Sequence, residues 1–156
     1  MTHIARFIRV AAPIDAVFAF LADYRNIPRL QPHFDRVRPL TEATTGLGAM
    51  LELHGSLHGV RLTAHLEIMA FDPPHLLVSD STGAVRSRST WRLSELPADG
   101  GHPQTRAGLT LDYDLTVPAV GRLIGGLLHH DVEAQSVESL KRLKLILEGH
   151  PLPPAG

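Results

Sequence analysis

The sequence contains no cysteine. Disulfides, thiolate metal sites and cysteine nucleophiles are therefore excluded, and the composition fits a reducing compartment. No excess of either charge exists: 15 Lys and Arg stand against 16 Asp and Glu, for a net charge of −1 with ten His outside the count. A surface so balanced offers no bulk field to a phosphate backbone, which argues against nucleic-acid binding. Long apolar runs are missing as well. Val117 to Leu128 is interrupted by Arg122 and falls far below the roughly 20 residues of a spanning helix. Near the start, Arg6 and Arg9 precede the apolar Ala16 to Ala22, but Pro13 and Asp15 break this outline of a signal peptide. A cytoplasmic protein without a transmembrane segment is expected. There is no H-E-x-x-H, Walker loop or dinucleotide fingerprint, and Gly55-Ser56-Leu57-His58-Gly59 lacks the order of a nucleophile elbow. No cofactor and no metal are expected.

What is present is a chain of 156 residues, 44% hydrophobic and 20% charged, long enough for one domain with a real core. Residues 4 to 11 alternate as a first strand. Pro13 then opens a helix that carries Val17, Phe18, Leu21 and Tyr24 at helical spacing, and Pro28 to Gln31 form a second, short helix. Six strands follow: 34–41, 49–55, 60–71, 76–81, 85–96 and 105–117. The clearest alternation sets Val60, Leu62, Ala64, Leu66 and Ile68 against Arg61, Thr63, His65 and Glu67. Ser56 to Gly59 separate two of these strands, and Pro97 to Gln104 read as a long exposed hairpin loop. From about Pro118 to Glu148 the period is helical, and Gly149 ends it. Val120, Leu123, Ile124, Leu127 and Ala134 make one stripe, continued by Val137, Leu140, Leu143 and Leu147. The expected class is α+β, an antiparallel sheet covered by one long helix.

Small residues face inward on the strands (Ala64, Ser87, Ser89, Ala107), and the covering helix carries Gly121, Gly125 and Gly126. They can leave a cavity, or equally let the helix sit closer to the sheet. The candidate lining is Leu62, Ala64, Leu66, Ser89, Trp91, Leu109, Leu111, Tyr113 and Leu127. Trp91 and Tyr113 combine an apolar body with a polar tip that a ligand oxygen can satisfy, or that ordinary core packing can accommodate.

The densest polar cluster is His129-His130-Asp131-Val132-Glu133. Asp131 falls near the middle of the apolar stripe and His130 at its edge. A carboxyl group there must face a pocket or find a partner. His130 and Asp131 then serve as a base and its orienter or hold a ligand; a slightly rotated helix puts both in solvent instead. His129 and Glu133, four residues apart, have no third ligand in view for a metal. His54, His58, His65 and His75 are expected on a solvated surface, as are Arg86, Arg88 and Arg92.

The runs Val10-Ala11-Ala12-Pro13-Ile14-Asp15-Ala16-Val17-Phe18, Leu21-Ala22-Asp23-Tyr24 and Pro28-Arg29-Leu30-Gln31-Pro32 resemble the opening of the START-like (SRPBCC) superfamily. Its polyketide cyclase/dehydrase branch is the nearest in pattern. Gly46-Leu47-Gly48, Phe71 to Leu77, Trp91-Arg92-Leu93 and Leu140 to Lys144 continue the match in the family's order. One departure is Leu30, where the family often has an aromatic residue. The resemblance implies a helix-grip fold: a curved antiparallel sheet of about seven strands around a long C-terminal helix, with two short helices after the first strand. It implies a single ligand-binding domain over residues 1–149, with 150–156 a flexible Pro-rich tail. The implied function is binding of a hydrophobic or amphipathic small molecule (lipid, polyketide or quinone-like) by a monomer or homodimer. One alternative is a cofactor-independent cyclase or dehydratase with His130, Asp131 and Tyr113 as its catalytic groups. Another is a protein-interaction module without a natural ligand.

Overall fold

The computed structural model describes residues 2–83, 85–114 and 121–152, with side chains of the last helix described from His130 onward. Strand β1 (Thr2–Val10) leads into helix α1 (Ile14–Ala22), a 3-10 turn (Tyr24–Asn26) and the one-turn helix α2 (Ile27–Leu30). Six more strands follow: β2 (Phe34–Pro39), β3 (Met50–Leu57), β4 (Val60–Asp72), β5 (Leu76–Gly83), β6 (Arg86–Asp99) and β7 (His102–Asp114). Helix α3 (Gly121–Leu147) completes the order. All seven strands form one curved antiparallel sheet in the order β1-β7-β6-β5-β4-β3-β2. This is the expected α+β arrangement. The expected end of the last strand and start of the helix fall on residues 115–120, outside the described residues, as does most of the expected C-terminal tail.

Both short hairpins are tighter than their sequences suggest. The stretch from Pro97 to Gln104 is not a long loop. β6 runs to Asp99, β7 starts at His102, and Gly100 and Gly101 make the turn with φ of 57° and 80°. Two successive left-handed residues match the twist of the flanking strands. Pro97 and Pro103 are tolerated because the ladder shifts register between Leu96 and Asp99, where no amide is needed from either. In the same way β3 extends through Leu57, and only His58 and Gly59 turn the chain, with φ of 50° and 79°.

The core gathers at one end of the concave face. Val10, Val17, Phe18, Trp91, Leu93, Ala107, Leu140 and Leu143 belong to one buried cluster joining β1, α1, the sheet and the last turns of α3. Burial of these apolar surfaces is the main favourable term holding helix to sheet. Polar ties fix the same end. Thr105 Oγ1 donates to Ala12 O at 2.7 Å, and Lys144 Nζ donates to Arg9 O at 2.9 Å and to Glu148 at 2.7 Å. α3 stops where Gly149 takes φ 75° and the His150 amide donates to Leu145 O at 2.8 Å.

The inner face of α3 differs from the apolar stripe in its sequence. Ala134 is exposed and Val137 is 43% exposed, whereas Ser136, Ser139 and Arg142 are buried with Leu140 and Leu143. These polar groups carry their own partners. Ser139 Oγ donates to Leu30 O at 3.2 Å, Arg142 donates to Arg29 O and to Glu138, and Ser136 Oγ donates to Glu133 O. Burying a bonded hydroxyl or guanidinium avoids the desolvation penalty that hydrophobic periodicity assumes.

Glycine is required where the chain after α2 crosses strand β3. A Cβ on Gly55 would collide with the carbonyl oxygen of His33 and lie 2.8 Å from Phe34 Cα. The crossing is secured by the Ser56 amide, which donates to His33 O at 2.9 Å. Gly55→Ala is therefore expected to lower the unfolding free energy by about 1–3 kcal/mol, as overpacking does. Gly108→Ala, whose Cβ would have its nearest neighbour at 3.6 Å, serves as the control. Equal urea midpoints for the two variants would contradict the crossing as a tight contact.

Candidate functional site

A cavity of about 180 Å³ lies between the concave face of the sheet and α3. A single water needs about 10–15 Å³ by the same measure, so this is far more than a packing defect. It opens beyond the buried cluster, where the inward positions change from Leu77, Trp91 and Leu93 to Ser79, Ser81, Ser87 and Ser89. Side chains of that size leave the space between strand and helix unfilled.

Nine of the residues expected to line a pocket do so: Leu62, Ala64, Leu66, Ser89, Trp91, Leu109, Leu111, Tyr113 and Asp131. His130 does not. It is exposed, because one residue along a helix turns the side chain by about 100° from Asp131. The side chain of Leu127 lies outside the described residues. Val132, Gln135, Ser136 and Ser139 complete the helical wall, while Gln31, His33 and Phe34 close one side from the segment after α2. Sequence reasoning missed His33, Gln31 and Gln135. Ser79 and Ser81 were legible in principle, since they share the parity of the buried Leu77.

Asp131 has a partner that no local pattern reveals. His58 Nε2 donates to Asp131 Oδ2 at 2.8 Å, linking the β3–β4 turn to α3 across the cavity rim. The Asp131 side chain is 17% exposed and that of His58 is 57% exposed. The left-handed turn at His58 and Gly59 is what aims the imidazole there; His is among the residues that tolerate positive φ. Burial pushes the His33 imidazole down to about 4, against the pull of the nearby Asp131 carboxylate. Tyr113 is buried, and desolvation raises its phenol above the ordinary range. The remaining histidine cluster lies elsewhere. His54 and His65 both donate to Glu52, joined by Arg38, and these bonds, His54 first, hold the Glu52 carboxyl at about 2. Among the described residues no group of three or more His, Asp or Glu is arranged to hold a metal ion.

Residues 1–148 match the family model described as polyketide cyclase / dehydrase and lipid transport. The chain belongs to that family. Among solved structures, it is similar to the ZhuI aromatase/cyclase from a Streptomyces species, with 24% identity, a TM-score of 0.76, and 94% of this chain and 93% of that one covered. TTHA0849 from Thermus thermophilus shares 20% identity at a TM-score of 0.72, over 95% and 98% of the two chains. A START superfamily protein from Mycobacterium smegmatis shares 15% identity at a TM-score of 0.64, over 94% and 97%. Identities this low show a common fold. No curated protein matches the chain.

In this member of the polyketide cyclase / dehydrase and lipid transport family, His33 gives the cavity a measurable signature. Its imidazole titrates near 4 when folded and near 6.5 when unfolded. At pH 7 the folded imidazole holds no proton and the unfolded one is mostly neutral. As pH falls from about 6.5 towards 4 the unfolded chain binds it first, so stability falls across that window, by up to about 3 kcal/mol. The unfolding free energy of wild type minus that of His33→Asn should therefore fall over this range. A difference that stays constant between pH 7 and pH 4 would show that His33 is not desolvated in the cavity wall.

Proposed function

We propose that this protein binds a hydrophobic or amphipathic small molecule in the cavity between the sheet and α3. The observation that carries the reading is the composition of the cavity wall. Leu62, Leu66, Leu109 and Leu111 supply an apolar lining, and Ala64 and the serines leave it unfilled. A mostly apolar concavity with a few convergent polar groups is the usual form of a small-molecule site. Lipid transport in the family description and the aromatase/cyclase likeness in fold both support it. On this reading residues 1–149 form one ligand-binding domain that works in the cytoplasm; among the described residues no helix is long and apolar enough to cross a membrane.

A cofactor-independent cyclase or dehydratase is the second reading. It is favoured by the Asp131 carboxyl group and the His33 imidazole lining one cavity, where one can accept a proton as the other orients an oxygen. Tyr113 would be its hydrogen-bond donor. His130, being exposed, has no part in it.

Ala64 tests the binding reading most simply. It lies on β4 opposite Leu53 and Gly83 and faces the cavity. Ala64→Trp adds volume where the ligand would lie. Nile red, an uncharged apolar dye, should bind wild type with enhanced fluorescence and bind the variant at least about tenfold more weakly, with far-UV circular dichroism unchanged. Equal dye binding by a folded variant would place the ligand site elsewhere.

A further inference from the structure

Four serine hydroxyls face the cavity from adjacent strands. Ser79 stands directly opposite Ser89, and Ser81 directly opposite Ser87, across the β5–β6 ladder. The two pairs are not equivalent. Ser79 and Ser89 are spent on each other, their Oγ atoms 2.8 Å apart. The hydroxyls of Ser81 and Ser87 make no hydrogen bond to any described residue, and neither is sealed from the cavity. Directly opposite residues hold their Cβ atoms about 5 Å apart, so this pair presents two open hydroxyls on carbons about that far apart. Leu66 flanks Ser81 on β4, and Tyr113 flanks Ser87 on β7.

Charge around the cavity is equally one-sided. Among the described lining residues there is no Lys and no Arg. Of the two imidazoles nearby, His33 lines the cavity but burial holds it uncharged near neutral pH, and His58 lies at the rim and already serves Asp131. A carboxylate or phosphate entering this space would shed its water, meet no Lys or Arg among the described residues and approach the Asp131 carboxyl group. Burial of an unpaired charge is costly. A plain hydrocarbon has the opposite defect, since it would dry Ser81 and Ser87 without replacing their bonds to water. An uncharged oxygen avoids both penalties by exchanging water for a serine hydroxyl.

We propose, building on the small-molecule reading above, that the cavity selects uncharged ligands with two oxygen functions along one edge, and that Ser81 and Ser87 are the residues that read them. Asp131 enforces the selection from the helical side by excluding anions. Ser79 and Ser89 act as structure; Ser81 and Ser87 set specificity.

Two ring systems of matched size separate these possibilities in titration calorimetry near neutral pH. Chrysazin is an uncharged dihydroxyanthraquinone, and anthracene carboxylate is an anion. Wild type should bind chrysazin at least about tenfold more tightly, and the double variant Ser81→Ala/Ser87→Ala should lose about tenfold for chrysazin while its weak binding of the carboxylate is unchanged. The single Ser→Ala variants, each expected to lose a few-fold, serve if the double variant fails to fold. Equal affinity for the two probes, or chrysazin binding untouched by the serine substitutions, would overturn the selectivity. If Ala64→Trp still blocked both probes in that case, the cavity would remain the binding site. Failure of wild type to bind either probe would overturn both readings together.

Discussion

At Ala64, Ser81 and Ser87 the concave face carries side chains too small to bridge the space to the helix, while Leu77, Trp91 and Leu93 join Leu140 and Leu143 in one buried cluster. This uneven distribution of volume is the constraint from which the rest follows. Close packing at one end holds α3 against the sheet, and the deficit at the other end becomes the cavity. Filling the whole face to interior density would stabilise the chain further, but would leave no room for a ligand. The stability of the molecule and its capacity to bind are thus set by different residues on the same strands.

The elements around the cavity depend on the same division. α1 and the end of β1 belong to the packed end, where Thr105, Lys144 and Glu148 add polar ties. The chain after α2 then crosses β3 at Gly55 and delivers His33 and Phe34 to the cavity wall. From the opposite side, the β3–β4 turn sends His58 to Asp131. Both wall pieces come from turns and connections, and the lining of strands and helix supplies the rigid frame behind them. This is the usual allocation of work between scaffold and connecting segments.

Much of this was legible in the residues. The alternation through Leu62, Ala64, Leu66 and Ile68 marks an inward face, and eight of the expected strand positions line the cavity because strand parity admits no intermediate orientation. Helix phase placed Asp131 inward for the same kind of reason. It misplaced Ala134 and Val137, because hydrophobic periodicity cannot anticipate that Ser136, Ser139 and Arg142 bring their own hydrogen-bond partners into the interior. Two prolines hid the tight hairpin at Gly100 and Gly101, since nothing local announces the register shift that accommodates them. The His58–Asp131 contact joins positions 73 residues apart, and His33 sits in a segment without periodicity. Contacts of that kind are products of the fold, so only the family resemblance, read over the chain as a whole, could have pointed towards them.

The central claim is that the volume deficit on the concave face is where a ligand sits. Backbone amide chemical shifts of the isotope-labelled protein, recorded while Nile red is titrated in, test it most directly. The account predicts that the perturbed amides cluster on inward strand positions such as Ser87, Ser89 and Leu111 and on residues 131–139 of α3, with Glu52 and Arg88 on the outer face unmoved. Perturbations concentrated on the outer face, or on the hairpin at Gly100, would contradict it.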